Sequence, residues 1–475
     1  MRFIDRRPPY ELTFADVFLL PQDYLGGSRK QVDLTAPDPV GLPLPIIAAD
    51  MPAVCTPQLA TALARRGGLG LFPSDLPAND VAEGVRQVKE ASPYHDTPAA
   101  LTADATVGQA RSALAHLPDG LVVIDNGRDY GLLSKRELAT VEDFVRLGEV
   151  AAATPVKVAA DAAPEDVFAR LVTEGVDAAV VFDGDQLVGV TSRSSAVRAE
   201  LYRPALDADG RLMIGAAVGI GEGAGKRAEA LVDCGVDVIV VHTPHAAQEQ
   251  ARATVRGIRA AIGDTPLVAG VVVTAASTRA IVDAGADVVR IGHGAGAMCT
   301  TRMATGVGRP QFSAVLECAS AARERGAAVW SDGGIRYPRD VALALTAGAS
   351  AVIIGSWFVR TVESAPELQH DEQGRPYKDG YGLASQRAVH TRFRHLTEFR
   401  QALNAVFDEG LSHSRLYLDP QRPGVEDLLD QITAGVRSAC AYSGVTSITQ
   451  LHEHAIVGVQ SPAGFTEGMP MPTGW

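Results

Sequence analysis

Short runs of β-branched and aliphatic residues alternate with longer amphipathic stretches along most of the chain. Such runs, bounded by glycine and proline, are typical of buried parallel strands, and the stretches between them have helical spacing. The predicted strands are Leu44–Ala49, Leu69–Phe72, Met213–Gly219, Asp237–His242, Pro266–Val273, Asp287–Ile291, Ala327–Ser331 and Ala351–Gly355. Eight strand–helix units indicate an α/β protein with a closed (βα)8 barrel, although periodicity alone fits a doubly wound open sheet as well.

Helices are predicted between most of these strands. Their predicted ranges are Pro57–Arg66, Lys226–Cys234, Ala247–Ile262, Ser277–Ala284, Phe312–Arg325 and Arg339–Ala347. Three of them end in a similar turn, CGVD at 234–237, AGAD at 284–287 and AGAS at 347–350. A glycine just past a helix end predicts a left-handed stop before the next strand.

A degenerate internal repeat interrupts this pattern over residues 97–200. Thr97-Pro98 recurs as Thr154-Pro155, and the run GLLSKR at 131–136 recurs as GVTSRS at 189–194. Each copy predicts a strand, a helix, two strands joined by a turn, and a second helix. The pair therefore interrupts the barrel after its second strand, either as two ligand-binding modules or as a spacer that makes contacts between subunits.

The carboxyl-terminal part of the chain has weaker periodicity. Residues 361–440 are rich in charged and turn residues, and segments that follow the last strand of a barrel often form a lid or flap. Residues 441–475 end in the sequence MPMPTGW, which predicts an extended arm.

Composition excludes several classes of protein. The formal net charge of −13 argues against a broad nucleic-acid-binding surface, while a local basic phosphate pocket stays possible. Without CxxC spacing, the cysteines predict neither structural zinc nor a disulfide framework, and they fit a reducing cytoplasm. No apolar stretch of about 18 residues occurs, so no signal peptide, membrane span or membrane partner is expected. The five cysteines are Cys55, Cys234, Cys299, Cys318 and Cys440.

The candidate nucleophile is Cys299. It follows the predicted strand that ends at Ile291 and a loop with three glycines at alternate positions, and it precedes two threonines and Arg302. An electropositive, partly exposed setting lowers the pKa of a thiol, and barrel enzymes keep their chemistry beyond the strand ends. A lone cysteine is also often a buried, inert side chain, so the local pattern leaves both interpretations open.

Two further strand ends carry glycines suited to phosphate binding. The sequence SDGG at 331–334 follows the seventh predicted strand, and Gly355-Ser356 ends the eighth. These loops of a barrel commonly bind phosphate through backbone N–H groups. Asp332 is placed to accept hydrogen bonds from ribose hydroxyls, although an Asp-Gly-Gly turn also forms for purely local reasons. We expect a nucleotide 5′-monophosphate here.

The loop GHGAGAMCTTR at 292–302 resembles the catalytic loop of the inosinate dehydrogenase/GMP reductase family. The resemblance spans the whole chain, including the closing segment from GVQSPAGF to PMPTGW, and it favours the TIM barrel over the open sheet. It implies that Cys299 attacks C2 of a purine monophosphate and forms a covalent thioimidate. Thr301 and Glu363, which stands in the matching TVES segment, would then handle the proton; alternatively, Glu363 is a solvated charge in the lid.

The resemblance also implies sets of binding residues. The implied nucleotide-binding residues are Met51, Ala297, Asp332, Gly333, Gly334, Gly355, Ser356, Tyr381, Gly382, Leu383 and Ser385. The implied dinucleotide-binding residues are His242, Thr243, Pro244, Gly292, His293 and Gly294. Relatives hold a monovalent cation, such as potassium, on backbone carbonyls, and the matching donors are Gly294, Gly296 and Cys299.

Three features resemble the reductase branch of the family more than the dehydrogenases. No Arg-Tyr dipeptide, which the dehydrogenases need for hydrolysis, occurs between residues 376 and 440. The segment YGLAS at 381–385 and the segment VRSACAY at 436–442 match the reductase patterns. The implied activity is NADPH-dependent reductive deamination of GMP to IMP and ammonia, in an actinobacterial-type branch that retains the inserted pair. The alternatives are an NAD-dependent IMP dehydrogenase and a non-catalytic purine-nucleotide sensor.

Several positions depart from the family pattern. His242 stands where relatives have an aspartate that binds the cofactor ribose, Val271 replaces an asparagine near the nicotinamide, and Asp50 replaces an asparagine after the first strand. We therefore expect NADPH to bind less tightly than in ordinary relatives, or another reductant to be used. His242 is alternatively a contact for a 2′-phosphate or a structural residue.

The inserted repeat resembles a tandem pair of CBS modules, with expected boundaries 92–148 and 149–202 inside a catalytic domain of residues 1–91 and 203–475. Such pairs bind adenosine or guanosine nucleotides. Glu137 and Ser195 stand where the ribose-binding aspartates of these modules are expected, which weakens that implication. Barrels of this family assemble as homotetramers or homo-octamers.

Overall fold

Eight parallel strands close into a barrel, which confirms the predicted fold class. The computed structural model describes residues 1–24, 26–115, 121–125, 130–150, 154–382, 384–393, 396–406 and 409–470. The barrel strands are β1 (Ile46–Ala48), β2 (Leu69–Phe72), β3 (Gly215–Val218), β4 (Val238–His242), β5 (Leu267–Val272), β6 (Val288–Ile291), β7 (Ala328–Asp332) and β8 (Ala351–Ile354). β8 pairs with β1, and β2 pairs with β3 across the inserted residues, so the open-sheet alternative is excluded.

At least one helix follows each barrel strand, and six of these helices confirm predicted ones. Those that follow β1 to β8 are Pro57–Arg65, Ala78–Glu90, Ala224–Asp233, Glu249–Ile262, Ala275–Asp283, Thr301–Thr305 with Gln311–Arg323, Pro338–Thr346, and Ser356–Val359. Gly235, Gly285 and Gly348 have φ angles of 100°, 112° and 110°, which confirms the predicted left-handed turns.

Side chains fill the barrel interior. Ile47, Leu71, Val240 and Trp330 belong to one buried cluster between the strands. Near the start of β8, Asp38 accepts hydrogen bonds from Trp330 Nε1 at 2.8 Å and from Ser350 Oγ at 2.6 Å. Because this end of the barrel is filled, the space for a ligand lies at the carboxyl ends of the strands.

The inserted residues form two small units with the same order of elements, as the internal repeat predicts. The first contains strands Ala99–Leu101, Leu121–Asp125 and Tyr130–Ser134 with helices Val107–Ala113 and Lys135–Leu138. The second contains strands Val156–Ala159, Ala178–Asp183 and Gln186–Ser192 with helices Pro164–Thr173 and Arg193–Leu201. In each unit the first two strands are parallel and the last two are antiparallel.

The segment after β8 is more regular than its sequence indicates. It contains a sheet of strands Leu368–His370, Pro376–Gly380 and Ser414–Tyr417, together with helices Gln386–Arg392, Glu398–Ala405 and Val425–Tyr442.

The predicted extended arm is wrong for residues 448–467. They form helix Ile448–His454, strand Ile456–Val459 and helix Pro462–Glu467. The strand pairs with Arg2–Phe3 and Val17–Leu19. Its residues Ile456 and Val457 are buried, so this segment packs on the protein and is not an extended arm. Short 3-10 turns occur at Phe14–Asp16, Arg29–Gln31 and Leu147–Glu149. None of the helices within the described ranges has the length and apolar character needed to cross a bilayer.

Candidate active site

A cavity of about 630 Å³ opens at the carboxyl ends of the barrel strands. Met51 after β1, His242 on β4, Cys299 after β6 and Ser356 after β8 all line it. Parallel strands present their carboxyl ends to one side of a barrel, so residues far apart in sequence meet there. The volume lies in the range of pockets that bind small molecules and cofactors.

Cys299 begins a line of three hydrogen-bonding side chains in this cavity. Its Sγ lies 3.1 Å from Oγ1 of Thr301, the first residue of helix Thr301–Thr305. The Thr301 hydroxyl donates to Oε2 of Glu409 at 2.9 Å. A thiol, a hydroxyl and a carboxylate in this order form a route by which a proton can move.

Glu409 reaches this position because its segment pairs with the cysteine loop. The Thr300 N–H donates to the Glu409 carbonyl at 3.1 Å, and the Leu411 N–H donates to the Met298 carbonyl at 3.0 Å. Cys299 and Gly410 thereby form a short antiparallel bridge. The backbone of the predicted flap therefore holds the carboxylate next to the Cys299 loop.

Glu363 lies outside this cluster, so the prediction that it partners Thr301 is wrong. Its carboxylate accepts the N–H of Val425 at 3.0 Å, at the start of helix Val425–Tyr442. The preceding residue, Val362, donates its N–H to the Pro423 carbonyl, so the chain here runs toward that helix and away from the cavity. Burial raises the pKa of Glu363 to about 8.

The predicted nucleotide loops meet on one side of the cavity. Asp332 accepts a hydrogen bond from Arg290 Nε on Oδ2 at 2.8 Å, and its Oδ1 has no hydrogen-bond partner among the described residues. Gln311 Nε2 joins the ends of β6 and β7 by donating to the carbonyls of Ile291 and Asp332. The predicted residues that line the cavity are Met51, Ala297, Asp332, Gly333, Gly334, Gly355, Ser356 and Gly382.

Two predicted nucleotide-binding residues, Tyr381 and Ser385, are not among the residues that line the cavity. Ser385 is buried, and its Oγ accepts the Ala388 N–H as the cap of helix Gln386–Arg392 while donating to the Gly382 carbonyl. Tyr381 packs its ring under the Arg387 guanidinium at 4.4 Å. Gly382 and Ala384, beside these two residues, line the cavity, so nucleotide binding by Tyr381 and Ser385 stays a prediction. Leu383 lies outside the described residues.

The predicted dinucleotide residues line the opposite side of the cavity. All six do so: His242, Thr243, Pro244, Gly292, His293 and Gly294. His293 Nδ1 lies 2.7 Å from the Pro244 carbonyl, which ties the loop after β6 to the loop after β4. A side chain on Gly292 would collide with the Asp332 carbonyl, and its φ of 151° favours glycine, so this close approach of β6 and β7 requires glycine.

A chain of charged side chains joins the two sides. Asp50 accepts a hydrogen bond from His242 Nδ1 at 2.5 Å and another from Arg290 Nη1 at 2.7 Å. Arg290 also binds Asp332, as described above. The sequence carries a signal for this set of side chains, because Arg290 interrupts the otherwise aliphatic run of β6 and Asp50 lies two residues past the buried strand β1.

The predicted cation donors lie in one turn. The Cys299 N–H donates to the Gly296 carbonyl at 3.2 Å, so one of the three predicted oxygens, those of Gly294, Gly296 and Cys299, already accepts a hydrogen bond. Within the described ranges, no cluster of three or more His, Cys, Asp or Glu side chains is arranged to hold a metal ion. The cation at the backbone carbonyls stays a prediction.

A closed barrel with a thiol, a hydroxyl and a carboxylate at its strand ends has the arrangement of a barrel enzyme, since such enzymes keep their reactive side chains there. The chain belongs to the IMP dehydrogenase/GMP reductase family, because the model described as the IMP dehydrogenase / GMP reductase domain matches residues 11–471. The resemblance inferred from the loop at 292–302 is thereby confirmed.

Relatives from both branches align along nearly the whole chain. The chain is 49% identical to GMP reductase of Mycobacterium tuberculosis (strain ATCC 25618 / H37Rv), and the alignment covers 100% of both proteins. It is 35% identical to inosine-5′-monophosphate dehydrogenase of Aquifex aeolicus (strain VF5), covering 98% of this chain and 96% of that one. A solved structure of GMP reductase C318A from Trypanosoma brucei in complex with guanosine 5′-monophosphate has a TM-score of 0.69 at 27% identity, covering 98% and 99% of the two chains.

Proposed function

We propose that this protein is an NADPH-dependent GMP reductase that acts in purine nucleotide interconversion. GMP, NADPH and two protons would give IMP, NADP⁺ and ammonium, so a hydride replaces the amino group at C2 of the purine. The observation that carries the proposal is the hydrogen-bonded line from Cys299 through Thr301 to Glu409 in a cavity large enough for the substrate. The 49% identity to a GMP reductase, against 35% to a dehydrogenase, supports the reductase over its sister activity.

In the proposed mechanism, the Cys299 thiolate attacks C2 of GMP, and the C2–N bond breaks to leave a covalent thioimidate. The proton of the Cys299 thiol first passes through the Thr301 hydroxyl to Glu409, and the departing amino group then takes a proton back by the same route. Hydride then adds to C2, and the electron pair of the C2–S bond returns to the sulfur. The geometry supports Glu409 in this role because it is the carboxylate that contacts Thr301.

The nucleotide would lie over the loops that follow β7 and β8. The free Oδ1 of Asp332 is suited to accept a ribose hydroxyl, since a carboxylate oxygen is an acceptor only. Gly333, Gly334, Gly355 and Ser356 line the same wall and offer backbone N–H groups to a phosphate. This arrangement presents the purine ring to Cys299.

The dinucleotide would lie over the loops after β4 and β6, where it supplies the hydride. His242 lines this part of the cavity, and its Nε2 has no hydrogen-bond partner among the described residues, so a polar atom is available to a ligand. The departures at His242 and Val271 support weaker NADPH binding than in ordinary relatives. Potassium on the carbonyls of the cysteine loop remains part of the proposal.

The inserted units are proposed to be CBS modules, 92–148 and 149–202, that hold a purine nucleotide and regulate the barrel. Their shared order of strands and helices supports this assignment. In the first module Glu137 caps its own helix by accepting the Ser134 N–H, and in the second Ser195 donates to Asp96, so neither residue replaces a ribose-binding aspartate directly. Assembly into a homotetramer or homo-octamer in the cytoplasm is proposed on family grounds.

Absorbance of the reduced dinucleotide tests the activity. We expect absorbance to fall when the protein is mixed with GMP and NADPH, and to stay constant with IMP and NAD. Cys299→Ala should abolish the change, because it removes the nucleophile. A rise with IMP and NAD would instead identify a dehydrogenase. No change in either mixture would indicate a nucleotide sensor and would contradict the proposal.

A further inference from the structure

The floor of the cavity carries a net charge that the proposed mechanism has not used. His242, Asp50, Arg290 and Asp332 form one chain with hydrogen bonds of 2.5, 2.7 and 2.8 Å. The Asp50 and Arg290 side chains are only 1% and 2% exposed. Charges buried to this extent act over longer distances than surface charges, because little water screens them.

Two carboxylates share one guanidinium in this chain. Burial alone would raise the pKa of Asp50, but Arg290 and His242 outweigh burial and lower it, so this carboxylate is ionised at neutral pH. Asp50 and Asp332 share the single guanidinium of Arg290, so these three side chains sum to one negative charge. Asp50, two residues past β1, therefore places an ionised carboxylate behind His242.

Asp50 also fixes which ring nitrogen of His242 donates to it. An ionised carboxylate only accepts hydrogen bonds, so Nδ1 of His242 is the donor in this pair. His242 lines the same cavity as Cys299 with 11% of its side chain exposed. Because hydride must reach a purine bound to Cys299, the nicotinamide is the end of the dinucleotide that has to enter this cavity.

We propose that Asp50, acting through His242, is a positioning residue for the nicotinamide, and that the negative floor favours the oxidised, cationic ring over the reduced, neutral ring. The inference rests on the proposed function. When hydride, carrying two electrons, leaves the reduced ring for C2 of the purine, the ring gains one positive charge and the C2–S electron pair returns to Cys299. A fixed negative charge near the ring stabilises that developing charge in the transition state.

The ratio of two dissociation constants tests the inference. Kd for NADP⁺ would be measured by calorimetry and Kd for NADPH by its fluorescence, with saturating GMP and in a Cys299→Ala background that prevents turnover. Asp50→Asn removes the charge and keeps the shape of the side chain. We expect this variant to raise the Kd for NADP⁺ about tenfold more than the Kd for NADPH. A merely structural role would weaken both forms alike.

A second variant keeps the test independent of how well Asp50→Asn folds. His242→Lys adds a positive charge beside Asp50, neutralises the floor, and should shift the ratio in the same direction. His413→Asn is the matched control, because His413 also pairs with an aspartate, Asp379 at 2.9 Å, but does not line the cavity. Its ratio should equal that of the parent protein.

The outcomes separate the two proposals. An unchanged ratio in Asp50→Asn and His242→Lys, with wild-type protein turning over GMP, would overturn the charged-floor inference and leave the reductase standing. Absence of turnover by wild-type protein would overturn the reductase proposal and this inference with it. A shifted ratio in both variants, with an unchanged control, supports the inference.

Discussion

Glu409 and Glu363 offer a test of the catalytic line at the level of single side chains. Glu409→Gln keeps the shape of the side chain but cannot release a proton to Thr301. We expect kcat for GMP reduction to fall by about 10²- to 10⁴-fold, the usual contribution of a general acid or base. Steady-state kinetics would measure the loss.

Glu363→Gln is the matched variant, because Glu363 is buried against Val425 and lies outside the cavity. Its kcat at neutral pH should stay close to the wild-type value. A large loss of kcat in Glu363→Gln together with an active Glu409→Gln would contradict the assignment made from the hydrogen bond between Thr301 and Glu409.

The same pair of residues shows what a sequence reveals about a site. Cys299 and Thr301 are predictable because one short loop with a recognisable glycine spacing contains both. Glu409 stands 108 residues beyond Thr301, in a segment with little periodicity, and only backbone pairing with the cysteine loop brings it into contact. An isolated Glu-Gly in that segment is too weak a signal to identify it. The charged floor is harder to predict for a similar reason, since the signals of Arg290 and Asp50 do not show that both side chains meet near His242.

At the level of secondary structure elements, Glu363 joins the segment after β8 to helix Val425–Tyr442, and its protonation is linked to folding. The pKa of Glu363 is raised by burial from 4.5 to about 8. Between these values the folded protein holds a proton that the unfolded chain has released. The contribution of Glu363 to the free energy of unfolding is therefore fully present below the unfolded pKa of 4.5 and is lost as the pH rises through the folded pKa of about 8.

Glu363→Gln should remove this dependence, because the amide stays neutral and its oxygen still accepts the Val425 N–H. The difference in melting temperature, variant minus wild type, should grow as the pH is raised from about 5 to about 8, because only the wild-type protein loses stability over this range. Calorimetry at several pH values would measure it, with the exposed Glu367→Gln as control. A constant difference across this range would show that Glu363 does not titrate as proposed.

Helix Arg193–Leu201 docks the second inserted unit on helix Val425–Tyr442 through Arg198. This guanidinium contacts Glu426, Asp427 and Asp430 at 3.1, 2.6 and 2.9 Å and is 7% exposed. Arg198→Met leaves the carboxylates without their shared cation. We expect a loss of about 3–5 kcal/mol in the free energy of unfolding, as for other broken buried ion pairs.

Denaturant titration would measure that loss. Arg203→Met is the control, because Arg203 lies 3.7 Å from Asp33 with 76% of its side chain exposed. It should change the free energy of unfolding by less than about 1 kcal/mol. Equal losses in the two variants would mean that the buried cluster contributes no more than a surface pair.

Elements differ in how well their sequence identifies them. The barrel strands are predictable because each is a short aliphatic run buried on both faces and ended by glycine or proline. Helix Val425–Tyr442 is predictable too, although residues 361–440 as a whole have weak periodicity. Its buried residues have helical spacing: Val425, Leu429, Ile432 and Val436. Strand Leu368–His370 is exposed along its length and forms by pairing with Pro376–Gly380, so its sequence has no alternation of buried and exposed residues that would predict a strand.

In the whole molecule, the chain leaves and re-enters the barrel at neighbouring points. Lys89, near the end of helix Ala78–Glu90, contacts Asp207 at 2.8 Å and Asp237 at 2.7 Å, so the residues before and after the insertion are held together. Each inserted unit has its own buried cluster, around Val122 and Leu133 in the first and Val181 and Leu171 in the second. An insertion with adjacent ends and separate cores is the kind that a host domain tolerates losing.

We therefore expect that replacing residues 98–192 by a short Gly-Ser linker leaves a folded barrel whose kcat for GMP is within about threefold of the wild-type value. The excision keeps Arg198 and its contacts with helix Val425–Tyr442. Any response of wild-type turnover to added ATP or GTP should disappear in the shortened protein, because the units proposed to bind these nucleotides are gone. A folded barrel that no longer turns over GMP would instead mean that the inserted units help to form the active site. Steady-state kinetics with and without the added nucleotides, beside circular dichroism of both proteins, distinguishes these results.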